Sequence, residues 1–303
     1  MDGFLVVDKP AGITSHDVVA RVRRLIGSRR VGHTGTLDPF ATGVLVVACG
    51  AATKAIPFLH EEYKSYRARL RLGISTDTQD CTGSPLAERS SAQITEAHFR
   101  QVAASLVGPM NQVPPMYSAV KQGGVPLYRL ARAGHEVERT PRSIEIAALT
   151  VEAFQAPEAL ISVVCSKGTY VRTLAHDLGE MLGCGAHLLE LRRTASGPFT
   201  LDRAATLDAL QDLAARQRPL PCIGVSEALG HLPEVTVSAV AAERLLHGLV
   251  SHELLATPGL RAGVCRLLAP DGALVAIASF SVDGDALTGR LLRVFPELCA
   301  LHG

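Results

Sequence analysis

Two runs, GFLVVDK near the start and VLVVAC at residues 44–49, are unbroken apolar stretches too short for helices. Both read as buried strands. YKSYRARLRLG alternates polar and apolar positions, as a strand with one wet face does. Between the first two strands, Ser15 stands as N-cap to HDVVARVRRLI, with Gly27 near the C-terminal end, so the spacing predicts a helix. TEAHFRQVAASLVG repeats the helical period and is closed by Gly108 and Pro109. SIEIAALTVEAF and ALISVVCS predict strands, TYVRTLAHDLGEMLG a helix, and AHLLELRR a further strand. Strands outnumber helices without alternating strictly with them. The expectation is therefore an α+β domain on a mixed sheet rather than a doubly wound parallel one.

The polar stretch at residues 211–221 marks the approach to the end of that domain, placed at residues 1–228. Beyond Leu232, VTVSAVAAERLLHG predicts a strand and a helix. Short strands with Asp-Gly turns follow, predicting a small C-terminal β-barrel within residues 229–303.

At 303 residues, with 47% hydrophobic positions, the chain has room for two domains and a large core. No window approaches the roughly 18 consecutive apolar residues of a membrane span. The strand-like start, without a basic segment or cleavage site, predicts no export signal and a cytoplasmic location. Seven scattered cysteines with no CxxC pair argue against a zinc site or a disulfide framework.

The net charge of +1 announces no nucleic-acid binder, but its distribution changes the picture. Arg21, Arg23, Arg24, Arg29 and Arg30 crowd the segment before the loop HTGTLDPFATG. Lys121, Arg129, Arg132, Arg139 and Arg142 form a second group, and Arg192 with Arg193 a third. Three basic groups around one loop fit phosphate contacts.

Asp38 is the lone carboxylate of that loop. Asp-Pro in the company of Thr and Gly reads, on spacing alone, first as a turn. The chemistry is narrowed by what is missing. GCGAHL follows a helix, SKGTY lacks phosphate-loop spacing, TDTQDCTG lacks the calcium-loop pattern, and no nucleophile elbow occurs. These patterns disfavour redox, ATP-dependent and metal chemistry. Tyr63, Tyr66 and Tyr170 remain, each at the edge of a predicted element near cations, where aromatics can pack in a core or stack on an extruded base.

FLVVDKPAGITS, RRVGHTGTLDPFATGVL, YKSYRARLRLG, VPPMYSAVKQGGVPLYRLARAG and CSKGTYVRTLAHDLGEMLGCGAHLLELRR occur in that order. Together they resemble the tRNA pseudouridine-55 synthase (TruB) family, bacterial stand-alone type, from about Gly3 to Arg193, with a looser match beyond.

The resemblance implies the pseudouridine synthase fold, a mainly antiparallel mixed sheet with a thumb inserted at about residues 118–142, and a PUA-like C-terminal domain. It implies isomerisation of uridine in the tRNA T-loop by base flipping, with Asp38 as the catalytic residue. No cofactor or metal is implied, because no atom enters or leaves overall. His33 would occupy space vacated by flipped nucleotides, Tyr66 would stack on the target base, and Tyr170 would line the pocket. Arg172 would pair with Asp38, and Leu191 would pack near the base. Lys9 and Pro10 would support the loop. Arg24, Arg30, Lys121, Arg129 and Arg132 are the candidate RNA-backbone contacts.

The implied partner is the tRNA T-arm stem-loop, met by a monomer that needs neither a membrane nor a protein partner. Two other readings use the same residues: an RNA-binding tRNA folding factor with secondary catalysis, and a guide-RNA-dependent synthase subunit.

Overall fold

The computed structural model describes residues 1–60, 62–283 and 286–299. Eight of the eleven strands of the main sheet frame the molecule: β1 (Gly3–Lys9), β2 (Val31–His33), β3 (Thr42–Cys49), β4 (Tyr63–Leu72), β5 (Gly108–Gln112), β6 (Arg142–Gln155), β7 (Glu158–Ser166) and β8 (Ala186–Ser196). Their hydrogen-bonded order is β1-β3-β8-β4-β7-β6-β5, with β2 paired to β3. Every neighbouring pair on this path is antiparallel except β3 and β8. Those two run parallel, and only across Arg192↔Thr42 and Arg193↔Gly43. The mixed α+β sheet predicted from the strand pattern is present.

Burial explains why the strands read differently in sequence. On β1 and β3, Leu5, Val7, Leu45 and Val47 enter one core, while Phe4, Val6, Val44 and Val46 enter a second on the opposite face. Strands covered on both faces have no polar side, so their sequences are unbroken apolar runs. β4 is covered on one face only. Tyr66, Ala68, Leu70 and Leu72 point inward, while Arg67 and Arg69 pair outward with Glu152, Glu158 and Glu190 at 2.7–3.5 Å. Such solvent-facing pairs contribute about 0–1 kcal/mol each, so the alternation itself is what holds the strand in register.

Helices α1 (Ser15–Ile26), α2 (Glu96–Ser105), α4 (Val171–Met181) and α5 (Leu207–Ala215) cover the first core, with Val18, Phe99, Leu174 and Leu210 fully buried. The short α3 (Leu127–Arg132) lies within residues 118–142, the segment expected to form the thumb. α2 stops at Ser105, short of the predicted Gly108–Pro109 end, because those two residues begin β5 and pair with β6.

α1 corrects the expected cap. Thr14, not Ser15, is the N-cap, closing a reciprocal capping box with Asp17. The buried Ser15 hydroxyl turns to the loop between β2 and β3 instead, accepting from the Leu37 N–H at 2.8 Å and donating to the Leu37 carbonyl at 3.0 Å. Gly27 ends the helix in the left-handed conformation, as predicted.

The polar stretch at residues 211–221 does not end the main sheet, since Cys222–Gly224 returns to pair with β1. In the C-terminal part the predicted barrel is not what the described residues form. They give a four-stranded sheet, Glu234–Thr236, Gly263–Leu268, Leu274–Asp283 and Ala286–Val294 in that order. Helix Ala239–Leu246 covers one face with Ala241 and Leu245, while Ile277, Leu268 and Phe295 pack into the second core of the main sheet. Both faces are thus buried without closure. No helix among the described residues is long and apolar enough to cross a membrane.

Candidate active site

The loop between β2 and β3 lies at the parallel contact of β3 with β8, and three buried side chains hold it. Lys9 Nζ donates to the carbonyls of Pro10 at 2.9 Å, Ile13 at 2.8 Å and Pro39 at 3.2 Å. Arg193 Nε donates to the Val44 carbonyl at 2.6 Å, and its Nη2 to the Gly35 carbonyl at 3.0 Å. Ser15 holds Leu37. Within this frame Asp38 opens a turn closed by Ala41 N–H to the Asp38 carbonyl at 3.1 Å, with Pro39 at the favoured second position. The turn reading of Asp-Pro is therefore correct, and the turn aims a carboxylate.

That carboxylate meets Arg172 from the first turn of α4. Arg172 Nε lies 2.9 Å from Asp38 Oδ2, and Nη2 donates to Oδ1 at 3.3 Å. The rest of the buried guanidinium is also committed. Nη1 donates to the Thr78 carbonyl at 2.8 Å and to Asp80 Oδ2 at 3.3 Å, and Nη2 to the Tyr117 carbonyl at 2.8 Å. The Asp38 side chain keeps 34% of its surface open, against 4% for Arg172. One side is accessible and the other is enclosed. Burial pushes the Asp38 pKa up, Arg172 draws it down, and the like charge of Asp80 raises it again. A permanently charged fork suits this task better than Lys or His.

Of the other predicted residues, Tyr66, Tyr170 and Lys9 lie within reach of the Asp38 charge. Tyr66 and Leu191 share one face, because Tyr66 pairs with Arg193 and Ala68 with Leu191 across β4 and β8. Tyr66 is only 8% exposed, so of the two readings its sequence position allows, core packing is the one the structure shows, at the edge of the site. Burial drives its phenol pKa up while Arg193 beside it opposes, and the Asp38 charge reaches it. Tyr170 is half-buried at the start of α4, also within reach of the Asp38 charge. His33 ends β2 in edge contact with His16, ring centroids 5.4 Å apart. Burial first, then the neighbouring His16, Arg193 and Lys64, lower its pKa to about 4. The imidazole is neutral at physiological pH. Pro10 is exposed, and its carbonyl is one of the acceptors for Lys9, whose own pKa burial lowers to about 8.

The basic groups divide. Lys121, Arg129 and Arg132 are exposed on the thumb, a two-strand turn followed by α3, with Arg132 over the Tyr128 ring. Arg24 is exposed on α1, but Arg30 is held by Glu297 at 2.9 Å. Arg192 and Arg193 do not form the expected basic flank. Arg192 is paired with Asp8 at 2.8 Å, and Arg193 is buried against the loop. Asp80, set aside in sequence with the failed calcium pattern, is buried at the guanidinium. Its Oδ1 accepts from Thr78 Oγ1 and from the Thr82 N–H. Arg193 carried one legible signal, its even spacing from Leu191 on the inward side of β8; Asp80 carried none.

Known proteins share this arrangement of elements. A family model for the N-terminal domain of TruB family pseudouridylate synthases matches residues 23–171, and one for the C-terminal domain of tRNA pseudouridylate synthase B matches residues 172–221. A protein of Geobacter sulfurreducens named tRNA pseudouridine synthase B is 51% identical across 97% of this chain and 100% of its own length. The chain belongs to the TruB family.

A second TruB relative, from Symbiobacterium thermophilum, is 52% identical across 82% of each chain. Among solved structures, a chain of a Cbf5-Nop10-Gar1 complex superposes with a TM-score of 0.71 at 27% identity, covering 96% of this chain and 84% of that one. A chain from an H/ACA RNP bound to a substrate RNA containing 2'-deoxyuridine gives 0.71 at 25% identity, covering 97% and 84%. As a TruB family member, this protein is a tRNA pseudouridine synthase, an isomerase that converts uridine to pseudouridine.

Proposed function

We propose that the reaction takes place at uridine-55 of the tRNA T-loop, swung out of its stack and seated on the open side of Asp38. The observation that carries this reading is the one-sided carboxylate clamped by a buried guanidinium beside a buried tyrosine. The N1–C1′ bond breaks, the uracil turns, C5 bonds to C1′, the C5 proton is lost and N1 regains one. Whether Asp38 bonds to C1′, bonds to C6 or removes a proton, the species needed is the same: an ionised oxygen with an open face.

Arg172 keeps that oxygen charged. At about 4 Å and an effective dielectric near 20, the attraction is about 4 kcal/mol, opposing burial. Tyr66, Tyr170 and Leu191 form the walls for the flipped base, where stacking returns about 1–3 kcal/mol of the extrusion cost. Neutral His33 fills the space left in the T-loop without adding charge. Lys9 and Pro10 hold the loop. Lys121, Arg129, Arg132 and Arg24 bind phosphates, while Arg30 does so only by leaving Glu297. Residues 1–228 act as the catalytic domain, and residues 229–303 as a PUA-like RNA-binding module. The enzyme works as a monomer without cofactor.

Asp38→Asn with T-arm RNA is the test. RNA binding persists and no pseudouridine forms; normal turnover would refute the assignment. The guide-RNA reading draws on the likeness to the H/ACA chain. Product from T-arm RNA with no guide present eliminates it.

A further inference from the structure

Gln112 is the last residue of β5 and is 2% exposed. Its side-chain amide engages both backbone groups of a single residue: Oε1 accepts from the Tyr170 N–H at 2.8 Å, and Nε2 donates to the Tyr170 carbonyl at 3.1 Å. Tyr170 is the N-cap of α4, and its own side chain makes no capping bond. An N-cap N–H is one of the donors a helix leaves unsatisfied, and in a capping box the third helical residue meets it. In α4 that residue, Thr173, is turned to Gln79 instead. Gln112 fills the role from a different strand.

Two consequences follow from where Gln112 sits. Arg172, two residues beyond Tyr170, is carried on the helical turn that Gln112 anchors. Gln112 also directly precedes the thumb, and the chain from it to Tyr117 passes through the buried Pro114 and Pro115, whose fixed φ leaves little slack. At the far end of that segment the Tyr117 carbonyl accepts from Arg172 Nη2 at 2.8 Å, while Arg139 from the other side of the thumb donates to the Pro114 carbonyl at 3.2 Å. The Ser118 and Val120 carbonyls hold the start of α3. The stem of the thumb therefore touches the ion pair once, through the Tyr117 carbonyl to the guanidinium, and holds the α4 turn that carries Arg172 through Gln112.

We propose that Gln112 is a positioning residue: from the stem of the thumb it holds the turn of α4 that aligns Arg172 with Asp38. This rests on the reading of Asp38 as the catalytic carboxylate.

The test uses full-length protein and T-arm RNA. Gln112→Met keeps the volume and removes both hydrogen bonds. It is expected to lower the single-turnover rate at saturating RNA about tenfold and to move the acidic limb of the pH–rate profile up by about one unit. The RNA dissociation constant should stay within about twofold. Gln112→Asn, whose shorter amide does not reach Tyr170, carries the same expectation if the Met variant does not fold. An unchanged rate and limb overturn the inference, as does a rate loss matched by weaker binding with the limb unmoved. Asp38→Asn is run alongside. If that variant turns over normally, the underlying reading has failed instead.

Discussion

Replacing Arg172 by Lys keeps one positive charge and removes the fork. The guanidinium now serves Asp38, Asp80 and the Thr78 and Tyr117 carbonyls together, through contacts of 2.8–3.3 Å. An ammonium is a single point and is drawn to the two carbonyls and buried Asp80, away from Asp38. If the charge separation grows from about 4 Å to about 6.5 Å, at an effective dielectric near 20 the attraction falls from about 4 to about 2.5 kcal/mol. The lost 1.5 kcal/mol or so is about one pKa unit.

Burial and Asp80 already hold the Asp38 pKa above its ordinary value, so the change adds to the same direction. On the proposed role of Asp38 its ionised form is the active species, so activity on the acid side should set in about one pH unit higher. The rate on the alkaline plateau should drop by about 10–100-fold from lost alignment. The assay is single-turnover pseudouridine formation at saturating T-arm RNA between pH 5 and 9. Superimposable acid limbs for Arg172→Lys and wild type would show that Arg172 does not set the charge of Asp38.

Three further outcomes follow from the same geometry. Folded His33 gives up its proton near pH 4 and the unfolded chain near 6.5, so the unfolded state binds more protons between those values and stability falls as pH drops through them. His33→Gln should remove about 1–2 kcal/mol of that fall, after allowing for partial exposure, and urea titrations at pH 4.5 and 7 read it; equal slopes with and without the imidazole contradict it. At Gly43, with φ 101°, an added Cβ collides with the Arg193 backbone, so Gly43→Ala should cost at least about 3 kcal/mol. A loss under about 1 kcal/mol in denaturant unfolding would count against the β3–β8 contact. Cys49, Cys165, Cys184 and Cys265 are buried, the first two with thiols pushed to about 12 and about 11. No more than the remaining three cysteines should therefore react rapidly with a disulfide reagent near pH 8. Four or more fast thiols would refute the packing.

Local chemistry made much of this protein legible. The strands buried on two faces announce themselves as unbroken apolar runs, and β4 by its alternation, because a pleated strand exposes every second residue to whatever covers that face. Gly27 marks a helix end because only glycine takes a left-handed backbone cheaply. Asp38 was visible as a lone carboxylate in a small-residue loop, and the motif order around it pointed to the family. What stayed hidden depends on partners far apart in the chain.

Arg193 looked like the companion of Arg192 on a basic surface. Strand parity sends it inward, and only the fold supplies the Val44 and Gly35 carbonyls that make its burial tolerable. Asp80 sat in a loop with no recognisable pattern until α4 delivered a guanidinium to it. Ser15 was a plausible cap by identity, but Leu37, packed beside it, took the hydroxyl. The C-terminal strands were evident, yet whether they close was decided by what already covers their faces. Sequence by itself determined which segments must be buried and which residue types could do the chemistry, since hydrophobic period and side-chain identity are properties of neighbours along the chain. Tertiary structure alone decided which charges meet, because a buried ion pair exists only where distant segments exclude water from both partners at once.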